Sequence, residues 1–252
     1  MSPTPASIEV SRDAEALAHR VAQWITDLAT ASRERFAICL SGGSTPRRLY
    51  QLLAESPYRE ALPWERAHWF WGDERFVPWD HADSNYRMVR EALLARAPAP
   101  AQNIHGIVTT GTPAEAAGSY ERTLKSYYGA ATLDPARPLF DVQILGLGPD
   151  GHTASLFPGT SVLEERNRWV AEVIGARAEA RITLTYPVLQ SSRHTAFLVA
   201  GTEKREILAR ALAGGTAPPV RLDSCRALTA GSSPLCPRLG ARLAVPPSWS
   251  RR

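Results

Sequence analysis

The chain has 252 residues, 44% of them hydrophobic and 21% charged, a balance typical of a globular protein with one large or two small domains. Its three cysteines are too few and too scattered for a disulfide framework or a zinc site, and no apolar run approaches the roughly 20 residues of a membrane helix. The net charge of +4 comes from an arginine-rich stretch at residues 220–252, so it does not indicate nucleic-acid binding. The chain starts without a basic-then-apolar leader, and we expect a cytoplasmic protein.

The first predicted elements are a helix, a strand and a glycine-rich loop. Apolar residues at helical spacing predict a helix over residues 11–31, with Ser11 as N-cap. An apolar strand at residues 36–40 runs into a loop of sequence SGGSTP, which opens an amphipathic helix. Glycines let the backbone approach a ligand, and hydroxyls beside the free N–H groups of a helix start suit a phosphate. The alternative is a well-capped helix after a turn. A nucleoside triphosphate is not expected, because the Gly-Lys-Ser/Thr of a P-loop is missing.

A second loop follows the next buried strand, predicted at residues 67–71. Its sequence, Gly72-Asp73-Glu74-Arg75, places three charged residues at the carboxyl end of a strand, where ligands bind in open α/β sheets. The alternative is an ion cluster that caps the sheet at its surface. Residues 83–86 then cap a further helix, and Thr112 starts a helix over residues 113–128.

The central stretch, residues 140–158, reads FDVQILGLGPDGHTASLFP. It predicts a buried strand, a glycine turn and a helix start at residues 153–156, which places His152 at the carboxyl end of a parallel strand. An imidazole there could take a proton from water, with Asp150 two residues away to orient it. Two alternatives stay open: a G-x-G-x-x-G dinucleotide turn, which usually lies earlier in a domain, and a structural glycine turn with a capping histidine.

Strands at residues 169–174, 181–185 and 195–200 and a helix at 201–212, which carries Lys204, complete the pattern. Alternating strands and helices predict an α/β fold: a doubly wound, mostly parallel sheet with helices on both faces. We expect a single domain over residues 1–219. Residues 220–252, rich in Pro, Ser, Gly and Arg, are expected to form a poorly ordered basic tail without site residues. The alternative is that residues 227–230 add a last strand to the sheet edge.

Three segments together resemble the 6-phosphogluconolactonases. They are SGGSTP at residues 41–46, GDER at 72–75 with DSNY at 83–86, and LGLGPDGHTASLFP at 145–158. That family shares its Rossmann-like fold with the glucosamine-6-phosphate isomerases (deaminases). The third segment discriminates best, because the deaminases follow this turn with a different sequence that contains an essential acid. After about residue 217 the chain departs from the family pattern.

The resemblance implies hydrolysis of 6-phospho-D-glucono-1,5-lactone to 6-phospho-D-gluconate, the second step of the oxidative pentose phosphate pathway. It implies a small sugar-phosphate lactone as partner, no cofactor or metal, no nucleic acid or membrane, and a monomer or weak homodimer. Catalysis would fall to three residues: His152 as the base that activates water, Asp150 as the acid beside it, and Arg75 facing the substrate. The implied substrate- and phosphate-binding residues are Ser41, Gly42, Gly43, Ser44, Thr45, Asp73, Arg181 and Lys204.

Three other functions compete with this reading. The first is an amino-sugar-phosphate isomerase or deaminase on the same fold, with Asp73 as the proton-shuttling base. The second is a sugar-phosphate-binding regulator without turnover, which would need no titrating base. The third is an NAD-dependent oxidoreductase, which the glycine turn alone supports weakly.

Overall fold

The computed structural model describes residues 7–212 and 225–230. Its ten strands, in chain order, are β1 (Ser7–Ser11), β2 (Phe36–Leu40), β3 (Ala67–Trp71), β4 (Asp73–Arg75), β5 (Ile104–His105), β6 (Phe140–Gly146), β7 (Val170–Val173), β8 (Arg181–Leu184), β9 (Ser192–Ala200) and β10 (Cys225–Ala230). Seven of them form the main sheet, in the order β1-β10-β9-β6-β2-β3-β5, with every pairing parallel. The other three form a small antiparallel sheet, β4-β8-β7.

Helices flank the main sheet. They are α1 (Ala14–Ala31), α2 (Ser44–Leu53), α3 (Tyr58–Ala61), α4 (Asn85–Val89), α5 (Pro113–Tyr128), α6 (Tyr186–Leu189) and α7 (Arg205–Leu212). A π-helical turn at Arg90–Leu94 continues α4, and 3₁₀ turns lie at Ala101–Asn103, Ser161–Glu164 and Thr202–Lys204. The expected fold class, a parallel α/β sheet covered by helices, is confirmed. Among the described helices, none is long and apolar enough to cross a bilayer.

Strands β2, β3 and β6 coincide with the apolar runs of the sequence. A strand that helices cover on both faces needs apolar side chains on both, so its sequence does not alternate between polar and apolar residues. Among the polar residues of these three strands, Gln143 of β6 is the one that is fully buried. Its side-chain N–H donates to the Leu189 carbonyl at 3.2 Å, and its oxygen accepts from the Ser192 hydroxyl at 3.3 Å. A buried amide with both ends hydrogen-bonded costs little, so one glutamine is tolerated there.

The register of the parallel strands brings their carboxyl ends to one edge. Leu40 of β2 lies beside Trp71 of β3, and Gly146 of β6 lies beside Leu198 of β9. The loops that follow β2, β3 and β6 therefore meet at that edge, where open α/β folds bind ligands.

Two buried tyrosines fix the strand ends there. The Tyr50 hydroxyl donates to the Ser41 carbonyl at 2.8 Å and accepts from the Ser41 N–H at 3.0 Å. The Tyr120 hydroxyl does the same at Trp71, accepting at 2.8 Å and donating at 3.1 Å. Burial raises the pKa of both phenols, so they stay protonated and able to donate.

Several predicted elements differ from the observed ones. Helix α1 begins at Ala14 with Asp13, not Ser11, as N-cap, and the Asp13 carboxylate accepts from the Ala16 N–H at 2.7 Å. Ser11 instead ends β1, a strand that the sequence pattern did not predict. Residues 153–156 form turns rather than a helix start, and Ala154 has a φ of +47°. That left-handed backbone interrupts any helix.

The strands near residues 170 and 182 exist, but they lie outside the parallel sheet. Strands β7 and β8 pair antiparallel, and β8 also pairs antiparallel with β4. The connection between β7 and β8 is too short for the crossover that parallel neighbours need, so they form a hairpin. Strand β4, read from the sequence as a loop, extends the hairpin over the main sheet's carboxyl edge.

Strand β10 (Cys225–Ala230) lies beyond the expected end of the domain at residue 219. It lies between β1 and β9 and pairs in parallel with both. The domain bounds and the poorly ordered basic tail stay predictions. The alternative of a last strand holds, although the strand lies inside the sheet rather than at its edge. Without β10, the backbone N–H and C=O groups along β1 and along the outer edge of β9 would lack hydrogen-bond partners in the sheet. Residues 220–224 and 231–252 lie outside the described residues.

Candidate active site

The first loop presents backbone N–H groups at the start of α2. The N-cap of α2 is Gly43, which has no side chain to accept from those N–H groups. Uncapped N–H groups of this kind can bind an anion, and the helix dipole favours negative charge at the same place. The structure therefore does not show the well-capped helix that was the alternative. The loop also needs glycine at position 42, because a Cβ there would lie 1.9 Å from the Asn85 side-chain oxygen.

The second loop is organised by Glu74, whose side chain is fully buried. Its carboxylate accepts from the backbone N–H groups of Arg75, Asn85 and Tyr86 at 2.8, 2.7 and 2.7 Å, and from the Ser84 hydroxyl at 3.2 Å. Burial raises the pKa of Glu74, and the N–H donors oppose that rise. Glu74 thus ties the GDER and DSNY segments together, and its neighbours in GDER remain free to face a ligand.

Those neighbours are Asp73 and Arg75. The Asp73 carboxylate accepts from the Ser155 hydroxyl at 2.7 Å, and the Asp73 carbonyl accepts from the Asn85 side-chain amide at 2.9 Å. The Arg75 guanidinium donates to the Asp83 carbonyl at 2.5 Å. Both side chains are therefore held in place before a ligand arrives, which reduces the ordering cost of binding.

The third loop carries the Asp150–His152 pair. The Nδ1 atom of His152 lies 2.5 Å from Oδ1 of Asp150, and the His152 backbone N–H donates to the same oxygen at 3.2 Å. Position 148 must be glycine, because a Cβ there would lie 2.1 Å from His152 Nδ1. Since Asp150 accepts at Nδ1, Nε2 is the ring nitrogen left to accept a proton.

Asp150 is charged throughout the neutral pH range. Burial acts to raise its pKa, but hydrogen bonds from the His152 ring and backbone, the charge of His152 and a hydrogen bond from Arg177 outweigh it. The pKa of Asp150 falls to about 2. The carboxylate can therefore fix the tautomer of a neutral imidazole and stabilise the imidazolium that forms when the ring accepts a proton.

The three loops enclose a cavity of about 280 Å³. Of the residues that the sequence selected, nine line it: Ser41, Gly42, Gly43, Ser44, Thr45, Asp73, Arg75, His152 and Lys204. Asp150 does not line the cavity but is hydrogen-bonded to His152, which does. The cavity wall combines a titratable base, a carboxylate, two cations and free backbone donors, the set that an anionic, hydrolysable ligand requires.

Arg181 lies outside this wall. It sits on β8 directly beside Arg75 of β4, and its guanidinium is 3.5 Å from the Glu179 carboxylate. Burial, and then the neighbouring charge of Arg75, lower the pKa of Arg181. Its expected contact with phosphate stays a prediction, and its position points to an effect through Arg75 rather than a direct contact.

Sequence reasoning overlooked three side chains of this region. Asn85 lines the cavity, although its segment had been assigned only a capping role. Thr153 also lines it, and its buried hydroxyl has no hydrogen-bond partner among the described residues. Arg177 contacts Asp150 from the turn between β7 and β8, and no motif surrounds it. The first two lie in or beside the quoted motifs, whereas no local signal could have found Arg177.

Comparisons with known proteins agree with this arrangement. The family model described as glucosamine-6-phosphate isomerases/6-phosphogluconolactonase matches residues 12–229. A 6-phosphogluconolactonase of Nostoc sp. is 44% identical over 82% of this chain and 85% of its own length. The crystal structure of 6-phosphogluconolactonase from Thermotoga maritima is 31% identical, with a TM-score of 0.76, and covers 90% of this chain and 100% of its own.

A further structure, 6-phosphogluconolactonase from Trypanosoma cruzi, is 30% identical with a TM-score of 0.77, covering 91% of this chain and 96% of its own. The family match includes all three loops of the site and β10 except its last residue. The chain therefore belongs to the glucosamine-6-phosphate isomerase/6-phosphogluconolactonase family.

Proposed function

We propose that this chain is a 6-phosphogluconolactonase, which hydrolyses 6-phospho-D-glucono-1,5-lactone to 6-phospho-D-gluconate in the pentose phosphate pathway. The observation that carries the proposal is that the His152–Asp150 pair opens onto the same cavity as the uncapped start of α2. A base and an anion site in one small cavity suit a phosphorylated, hydrolysable ligand. The names of the relatives described above support the lactonase activity over the isomerase activity of the same family.

The reaction begins with a water molecule beside His152. Nε2 accepts a proton from the water as its oxygen attacks the lactone carbonyl, and Asp150 stabilises the resulting imidazolium through Nδ1. A base positioned in this way contributes roughly 10²- to 10⁴-fold to the rate. The tetrahedral oxyanion is stabilised by Arg75 or by backbone N–H groups of the glycine loop.

Collapse of the intermediate breaks the bond between the carbonyl carbon and the ring oxygen. The imidazolium returns its proton to that oxygen, which becomes the hydroxyl of the open-chain acid. The ring ester is already reactive, so the step needs neither a covalent nucleophile nor a metal ion.

The phosphate group would lie at the start of α2. Ser44, Thr45 and Lys204 all line the cavity, and their hydroxyls, backbone N–H groups and ammonium are the groups that would bind a phosphate. A dianion held by these groups fixes the position of the sugar ring, and binding energy from this remote group then serves the reacting bond.

The isomerase or deaminase alternative depends on Asp73 as a base. In this structure the Asp73 carboxylate accepts from Ser155, a bond that holds it to the third loop. The Asp150–His152 pair has the geometry of a hydrolytic base and is the better candidate. A cytoplasmic location and a monomeric or weakly dimeric state stay predictions from the sequence.

The test is turnover of two substrates by the full chain. Freshly prepared 6-phosphogluconolactone should be hydrolysed well above its spontaneous rate, followed by acid release, whereas glucosamine 6-phosphate should release no ammonia. Ammonia release would support the isomerase function. Binding of the phosphogluconate product without turnover of either substrate would support the regulator, and binding of NAD would support the oxidoreductase.

A further inference from the structure

Arg177 is the residue whose position the proposed mechanism leaves unexplained. It lies in the turn between β7 and β8, far in sequence from the three loops, and it does not line the cavity. Its Nη2 atom donates to Oδ2 of Asp150 at 2.8 Å, the oxygen that His152 does not use. Arg177 and His152 thus hold the two oxygens of one carboxylate.

An aromatic ring supports both partners of that carboxylate. The guanidinium carbon of Arg177 lies 4.3 Å from the centre of the Phe157 ring, and the His152 ring lies 4.6 Å from the same centre. Phe157 is buried, so it is a fixed surface for both. A planar guanidinium uses its face for the ring and its edge for the carboxylate, which a lysine ammonium cannot do.

Asp150 needs a second anchor because of where it lies. It sits in the glycine turn, and its side chain is 36% exposed. A carboxylate held through one oxygen alone can rotate and exchange the oxygen that meets the imidazole. A charge-assisted bond on the second oxygen opposes that rotation. Among the described residues Asp150 is the only acid in contact with Arg177, so the bond is not shared.

We propose that Arg177 is a positioning residue for the lactonase reaction: it fixes the Asp150 carboxylate so that His152 stays in the tautomer with the proton on Nδ1. This inference rests on the proposed function, and it acts through Asp150 rather than through the substrate. The chain of contacts runs from Arg177 through Asp150 to His152, with Phe157 packed against both ends.

The kinetic test is a double-mutant cycle in the full chain. Arg177→Met should lower kcat about five- to tenfold and leave KM for the phosphorylated lactone within about twofold. Added to Asp150→Asn, the same change should cost less than about twofold more, because the group through which it acts is already neutral. If the loss of kcat in the double variant equals the product of the losses in the two single variants, the inference is overturned.

Two further variants separate positioning from general packing. Arg177→Lys keeps the charge but not the planar fork, so it should recover only part of the lost kcat. Arg137→Met is the matched control, because Arg137 stacks on Tyr128 at 4.1 Å without lining the cavity, and its kcat should not change. An equal loss in Arg137→Met would assign the effect to lost surface packing.

A readout independent of turnover keeps the two proposals apart. In ¹⁵N NMR spectra at a pH where the ring is neutral, His152 should show the Nδ1–H tautomer in the wild type and a mixture in Arg177→Met. An unchanged tautomer would overturn the inference even if kcat fell. A wild type with this tautomer but without lactone turnover would instead overturn the proposed function, while a tautomer mixture in Arg177→Met would still show that Arg177 positions Asp150.

Discussion

At the scale of single residues, the proposed mechanism depends on the imidazole of His152 and its free Nε2 atom. His152→Ala should reduce kcat by at least about a hundredfold, because it removes the group that we propose accepts the proton of the water. Binding of the product 6-phosphogluconate, measured by calorimetry, should change little, since the proposed phosphate contacts are elsewhere in the cavity. His81→Ala is a control on an exposed histidine outside the cavity wall. Near-normal turnover by His152→Ala would remove this residue from the mechanism.

The sequence predicted that both Lys204 and Arg181 bind the phosphate, but their positions in the structure predict different effects of substitution. Lys204 lines the cavity, whereas Arg181 lies beside Arg75 outside the wall. Lys204→Met should raise KM for the phosphorylated lactone at least about tenfold and change hydrolysis of unphosphorylated glucono-1,5-lactone little, because only the first loses a charge-assisted contact.

Arg181→Met provides the comparison in the same assay. It should raise KM for the phosphorylated lactone less than Lys204→Met does, because we expect Arg181 to act through Arg75 rather than by direct contact. If Arg181→Met has the larger and phosphate-selective effect, the phosphate lies nearer β8 than the cavity wall indicates. Equal losses on both lactones would assign these residues to the fold.

At the scale of elements, the site depends on how loops attach to strand ends. Tyr50 and Tyr120 each bond the backbone where β2 and β3 end, and Glu74 bonds two loops together. All three are buried, and none lines the cavity. Buried hydrogen bonds therefore hold the loops in place. The side chains that line the cavity are not needed for this and can serve binding and catalysis.

Strand β10 gives the sharpest prediction at this scale. It is hydrogen-bonded on both sides, so Ala227→Pro, which removes an N–H and imposes a ring between two strands, should destabilise the fold by about 3 kcal/mol or more. Ala227→Gly keeps the N–H and should cost about 1 kcal/mol or less. Urea denaturation of the full chain measures both. Equal stability of the two variants would mean that β10 adds little to the sheet.

At the scale of the whole molecule, stability should depend on pH through the histidines at the sheet's β5 edge. Burial, and then the charge of His68, lower the pKa of His105 to about 4 in the folded chain, against an ordinary value near 6.5. Between these two values the unfolded chain binds the proton that the folded chain refuses. Stability should therefore fall as the pH drops from about 6.5 toward 4.

The measurement compares the wild type with His105→Gln. The free energy of unfolding in urea at pH 7 and pH 5 should fall more steeply for the wild type, since the variant lacks one of the groups that titrate differently. Titrating groups distant from His105 are common to both proteins and cancel in the difference, whereas any change at His68, whose ring lies 3.1 Å from that of His105, belongs to the effect of the pair. Equal falls would show that His105 takes up its proton without opposing the fold.

Much of this protein can be predicted from the sequence, where the signal is local. Strands β2 and β3 and helix α5 lie at the predicted positions, because unbroken apolar runs and the Thr112 cap determine burial and backbone geometry nearby. The position of the glycine loops at one edge of the sheet could also be predicted, since the carboxyl ends of parallel strands lie at the same edge. The family followed from three loop motifs and agrees with the match over residues 12–229.

The tertiary structure alone decided what depends on distant partners. Cys225–Ala230 carries a weak local pattern, and its strand exists because β1 and β9 offer backbone partners on both sides. The pairing of β4 with β8 places Arg181 beside Arg75, outside the cavity wall. The hydrogen bond between Arg177 and Asp150 joins segments whose proximity no local pattern specifies. Local sequence determines backbone preference and burial, whereas the neighbours of a side chain are determined only when the whole chain has folded.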